Sequence, residues 1–258
     1  DVKGSVVGGL GTVHAGSKLV NSADLPLTVP LKKPVEIKDM QVSAEMKGQN
    51  ARLHNLSFQL FDGFLRAQGT LGVGTPTPPF SGTLSLQGIQ VGPALQAVGT
   101  DHISMSGTAG AELAVTGRGF AHEDLVKALA GNGHMAVKDG KIDGINILQE
   151  AATLLKVAGL SLDRVNATAF STIESDVGIK QGLIAVQRFL LDSHDFRATG
   201  GGTIGLDQSL DLKLNLNLSQ ALSQKIAAGS PIARIAVSNG RLSLPLVITG
   251  NVHAPSYG

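Results

Sequence analysis

The stretch from Leu210 to Leu218 constrains this chain more than any other. Leu210, Leu212, Leu214, Leu216 and Leu218 alternate with Asp211, Lys213, Asn215 and Asn217. Successive side chains on a strand leave on opposite faces, so this stretch predicts a strand with one apolar and one wet face. Antiparallel sheets solvated on one side are built this way. The same period recurs in weaker form. Leu56, Phe58 and Leu60 alternate with Ser57 and Gln59, and Leu84 and Leu86 with Ser85 and Gln87. After Gly88 the phase moves by one and Ile89 and Val91 continue the stripe, which predicts a β-bulge. Leu242, Leu244, Leu246 and Ile248 form a further stripe. Pro245 within it points to an edge strand or a bulge.

Glycine, with 33 residues, punctuates these short apolar runs, as expected of many strands joined by turns. Three segments have helical spacing instead. His122 to Ala130 places Leu125, Val126 and Leu129 together, with Gly131 as a stop. Ile145 to Ala158 places Ile147, Leu148, Ala151, Leu154, Leu155 and Ala158 on one face before Gly159. Ser219 to Ala228 reads as a short helix with Ser219 as N-cap. Thr75 to Pro79 is a Pro-rich loop. The pattern predicts a mainly β (α+β) fold: a twisted antiparallel sheet with two or three short helices packed on it or plugging it. Residues 1–47, broken by Pro26, Pro30 and Pro34, read as irregular strands ending a preceding segment. Residues 48–258 read as the main β domain.

Composition narrows the function. Hydrophobic residues make up 42% but aromatics only 3%, so aliphatic side chains supply the core. The net charge of +1 is scattered, with no basic stripe, which argues against nucleic acid as a partner. With no Cys, thiol catalysis, disulfides and thiolate metal sites are excluded. No run of about 18 apolar residues predicts a membrane-spanning helix. The start at Asp1 without Met reads as a fragment that an anchor could have preceded.

Catalytic motifs are weak. Gly200 to Gly205 matches GxGxxG, but dinucleotide binding needs a helix after the glycines, and here an alternating strand follows. A tight turn between strands is the plainer reading. Asp192 and His194 share a strand face and could offer two metal ligands, but a third and fourth would have to come from elsewhere. A solvated strand end explains them. Glu123 and Asp124 open a helix where its dipole favours acids. These observations predict no catalytic residue, no metal and no cofactor.

Several ordered segments resemble the AsmA family. Asp62 to Gly69 (DGFLRAQG) is similar to its glycine-centred strand pair, and Gly88 to Leu95 to a stripe ending in a short helix. Ile103 to Gly119 continues the order. Asp124 to Ile147 is the most specific block, through Leu129, Gly131, Asp139, Gly140, Ile142 and Gly144. Phe170, Ile173, Ser175, Ile179, Gly182 and Leu183 fit a later block, then Gly200 to Leu218, then Val247 to Pro255. The resemblance covers roughly Leu53 to Pro255.

The resemblance implies that the sheet is curved into an open apolar groove or half-barrel, in a periplasmic, non-enzymatic module held at the inner membrane by an N-terminal segment absent from this chain. It implies carriage of phospholipid or another acyl lipid toward the outer membrane, with envelope proteins as further partners. Leu56, Phe58, Leu60, Leu84, Leu86, Leu210, Leu212, Leu214, Leu216, Leu218, Leu242, Leu244 and Leu246 would line the groove. The helix bearing Ile147, Leu148, Leu154 and Leu155 would act as a lid or plug. The alternative is a scaffold for outer-membrane assembly whose interior is filled by its own helices.

Overall fold

The computed structural model describes residues 2–7, 11–13, 35–98, 104–144, 146–149, 167–229, 237–251 and 254–258. Fifteen strands form one open antiparallel sheet. In chain order they are β1 (Val2–Val7), β2 (Gly11–Val13), β3 (Val35–Lys47), β4 (Asn50–Leu60) and β5 (Gly63–Gly72). Then come β6 (Pro79–Gln90), β7 (Ser104–Arg118), β8 (Ala130–Asp143), β9 (Ala167–Lys180) and β10 (Leu183–Asp192). The last are β11 (Phe196–Gly205), β12 (Ser209–Leu218), β13 (Val237–Ser238), β14 (Arg241–Asn251) and β15 (Ala254–Tyr257). From β3 to β12 every strand pairs with the next in sequence. β14 follows β12, while β1 and β2 both pair with β3. The boundary at Lys47 therefore falls in the turn between two paired strands.

Among the described residues the helices are α1 (Val91–Val98), α2 (His122–Ala128) and α3 (Gln220–Gly229). The predicted helix at 122–130 stops two residues early because Ala130 already pairs with Lys180 in the sheet. Ser219 caps α3 as expected, its Oγ accepting from Leu222 N at 3.3 Å. Of the helix expected over 145–158, residues 147–149 are helical, Asn146 before them is not, and 145 and 150–158 lie outside the described residues. The GxGxxG glycines lie within β11, and the turn begins only at Leu206. Pro245 sits where β14 has β12 on one side and, on the other, β13 pairing only at Arg241–Leu242 and β15 only from Ile248. This is an edge position, without a bulge.

Five strands carry an extra residue relative to a neighbour. The register shifts occur in β3 after Lys38, in β4 after Leu53, in β6 after Leu86, in β8 after Lys138 and in β10 around Gln187. Each shift inserts a polar or glycine pair: Lys38-Asp39, His54-Asn55, Gln87-Gly88, Lys138-Asp139 and Gln187-Arg188. Asp39, Gly88, Asp139 and Arg188 have φ of 52°, 71°, 51° and 48°, the left-handed conformation of many bulges. Both members of a pair stay on the wet side, and the apolar stripe resumes in phase beyond them. Bulges also bend the strand that carries them and raise its twist, which curves the sheet.

The β10 bulge is held from both faces. Ser175 Oγ, buried on the apolar side, donates to Gln187 O at 2.8 Å. On the wet side Arg188 ion-pairs with Asp176, and His134 Nδ1 donates to Asp176 Oδ1 at 2.9 Å. The His134 hydrogen bond, and next the Arg188 one, hold the Asp176 carboxyl below the usual carboxylate range.

Burial is uneven. The sealed core joins Phe170, Leu191, Phe196, Leu216, Leu218, Ile226, Leu242, Leu244 and Leu246, where β9 to β12, β14 and α3 meet. Leu216 and Leu218 are 0% and 1% exposed. Ser223, itself buried, ties α3 to this core by accepting from Leu242 N at 2.9 Å. Ile147 and Leu148 pack against the same cluster, and Ile147 N donates to Thr168 Oγ1 at 3.1 Å.

Two outcomes follow from this arrangement. Leu216→Ala leaves a cavity in the sealed core and is expected to cost about 2–5 kcal/mol, whereas Leu84→Ala, half-exposed already, costs well under half as much. Equal losses in urea-denaturation curves contradict a core concentrated at the β12–β14 end. The second concerns acid. A carboxyl held low in the folded state stabilises it above the unfolded carboxylate pKa, and that contribution fades as pH falls through the folded value. The stability gap between the parent and Asp176→Asn is therefore expected to shrink as pH falls below about 4. A gap that stays constant or widens below about pH 4 overturns this role for Asp176.

Candidate functional site

The pairings trace an apolar row across the whole sheet. Val42 lies opposite Leu56, then Ala67, Leu84, Leu113 and Gly133 follow strand by strand. The row continues through Val177, Val186, Gly202, Leu212 and Ile248 to Tyr257. Partners across an antiparallel ladder share a face, so every side chain in the row lies on one side. It crosses all strands from β3 to β15 except β13. Eleven spacings of about 4.8 Å make it roughly 50 Å long, measured along the sheet. Parallel rows flank it. Phe58, Leu65, Leu86, Ala111 and Met135 form one, and Leu53, Gly69, Gly82, Val115, Gly131 and Ile179 another.

All thirteen leucine and phenylalanine positions singled out from the sequence lie on this face, and their burial sorts them. Leu216, Leu218, Leu242, Leu244 and Leu246 are sealed in the core and touch only protein. Leu56, Phe58, Leu60, Leu84, Leu86, Leu210, Leu212 and Leu214 are half-buried. Helix positions Ile147 and Leu148 lie against the sealed cluster, while Leu154 and Leu155 lie outside the described residues. The alternation did not single out Leu113, Val115, Val177 and Val186, and Ile179 entered only through a family block. In β7 Ala and Gly dilute the alternation around Leu113 and Val115.

The edges of this face differ. Connections β6–β7, β8–β9 and β12–β14 carry α1, the helical turn at 147–149 and α3, all on one long edge. Val91, Ala97 and Ile226 are buried there. The other long edge holds tight turns, the 73–78 loop and α2.

The opposite face is polar. Ser57, Arg66, Ser85, Glu112, His134, Asp176 and Gln187 form one ladder across β4 to β10. A surface hollow of about 780 Å³ lies over it, with Arg188 at its border. Three of its charged or titratable groups, His134, Asp176 and Arg188, engage one another, and a carboxylate held low is a weak general base. Among the described residues no three His, Asp or Glu converge as metal ligands. Asp192 is paired with Arg197 at 2.8 Å, and His194 lies in the β10–β11 turn. Among the described residues no helix is long and apolar enough to cross a membrane.

Comparison with known proteins agrees with the resemblance in the sequence. No curated protein and no solved structure matches the chain. A family model does, over residues 29–189. That span begins earlier than the motifs and stops before the blocks at Gly200 to Leu218 and Val247 to Pro255. It covers more than half of the chain and includes the open part of the apolar face, and on this match the chain belongs to the AsmA family, whose proteins are associated with the cell envelope.

Proposed function

We propose that the half-covered apolar rows on β3 to β8 carry the acyl chains of phospholipid across the periplasm, without covalent chemistry. The full-length protein would be held at the inner membrane by a segment outside this chain. The observation that supports this most is the unbroken apolar row, which no charged residue interrupts from Val42 to Tyr257. Removing an acyl chain from water is worth about 0.8 kcal/mol per CH₂, on the order of 13 kcal/mol for 16 carbons. A carrier has to shield most of that along the whole route, and adjoining aliphatic rows do so without polar contacts.

A second reading, an assembly scaffold, is favoured by one observation: the β12–β14 end is filled by its own residues and α3. Photo-crosslinking separates the two. With a photoreactive residue at Leu84 or Leu113, carriage expects phospholipid adducts after incubation with vesicles, and at Leu216 it expects none. A scaffold expects none at any of the three. Mass spectrometry of a solvent extract of the purified protein tests the same point independently: co-purified phospholipid supports carriage, and an extract free of lipid supports the scaffold.

The turn at 147–149 supports a lid. Leu148→Ser is expected to lower the melting temperature and to raise uptake of a fluorescent fatty acid by the folded protein. Lower stability with unchanged uptake removes the lid from the proposal.

A further inference from the structure

Met135 stands apart on the apolar face. It is 45% exposed, the most exposed methionine among the described residues, although it lies mid-sheet. The ladder explains why. Its cross-strand partners are Ala111 on β7 and Ser175 on β9, and its same-face neighbours along β8 are Gly133 and Val137. Ala111, Ser175 and Gly133 are small. Gly133 has to be: a Cβ there would collide with the backbone oxygen of Glu112 and the side chain of Leu113. Ser175 is buried, with its hydroxyl committed to Gln187 O, so it does not rise over the thioether. The long methionine side chain thus projects from a basin of short ones. It lies between the half-open rows of β3 to β7 and the buried Val177 and Val186 of β9 and β10.

We infer that Met135 is an oxidation site that interrupts the apolar route when it is converted to the sulfoxide. This rests on the carriage reading above. The step needs a peroxide as oxidant. One peroxide oxygen is transferred to Sδ, the thioether is oxidised to a sulfoxide, and the peroxide is reduced to water. An apolar, polarisable group thereby becomes a strong dipole with an acceptor oxygen. Against an acyl chain that oxygen has no donor, and an unsatisfied polar group next to hydrocarbon is unfavourable. The three small neighbours cannot supply one: Ala111 and Gly133 have no side-chain donor, and Ser175 already donates to Gln187.

The test uses the whole chain treated with hydrogen peroxide. Peptide mass spectrometry follows Met40, Met46, Met105 and Met135, and a fluorescent fatty acid reports binding. Met135 is expected to oxidise at least as fast as Met46, which is 37% exposed, and several-fold faster than the half-buried Met105. Affinity is expected to fall about tenfold in step with Met135 sulfoxide. Met135→Leu, measured against its own untreated affinity, should keep that affinity after the same treatment, even with Met46 oxidised. Oxidation of Met135 no faster than of Met105 overturns the inference, as does an equal loss of affinity in Met135→Leu. Unchanged binding with Met135 fully oxidised sinks the gate alone. No binding by the untreated protein sinks the carriage reading and the gate with it.

Discussion

Phase is the constraint on which everything else rests. In a meander where each strand pairs with the next, one residue of slip would turn a strand's apolar side chains to the wet face. Five bulges supply such a slip, yet the row from Val42 to Tyr257 stays unbroken. It survives because each bulge is a pair of residues that both remain outside, as with Gln187 and Arg188. The bend is therefore obtained without mixing the faces. At β10 the pairing is fixed by side chains from both directions, Ser175 from the apolar side and Asp176 from the wet side. The curvature there is written into specific contacts as well as into backbone preference.

A single sheet cannot bury its own apolar face; a second layer has to do it. Here the second layer is partial. α3, the turn at 147–149 and α1 line one long edge, and the sealed residues gather where α3 meets β12 and β14. Further along, Leu84 and Leu113 have the same strand environment as Leu216 without the same cover. The contrast lies in packing rather than in pattern. Stability is concentrated at one end, and the opposite end offers apolar surface at little structural cost.

The parts legible in the sequence were those with purely local causes. β12 could be read because leucine and polar residues alternate without exception, and α3 because Ser219 marks its start. The bulge at Gly88 was read from a phase shift next to a glycine. The equivalent shifts at Lys38-Asp39, His54-Asn55 and Gln187-Arg188 have the same form, two polar residues between apolar ones, but lack the glycine that draws the eye. Which leucines are covered was not legible, since Leu84 and Leu216 alternate alike and differ only in what α3 reaches. The cluster of His134 and Asp176 was also invisible: 42 residues separate them, and only the β8–β9 register brings them together.

An apolar row of this kind differs from a pocket in what it does to a bound chain. A pocket with converging polar groups makes one position deeper than the rest, and a ligand that must leave has to climb out of it. Along the rows here each step of about 4.8 Å replaces one aliphatic or glycine neighbour with another. The free energy of a hydrocarbon chain then changes little from strand to strand, and its contact with the protein needs no fixed orientation. Flatness of this sort favours sliding over storage. It also makes the route sensitive to any single polar group, because a uniform surface has no local partner that could compensate one. The same absence of donors and acceptors that lets a chain pass over β4 to β8 is what would make one added dipole in its middle an obstacle.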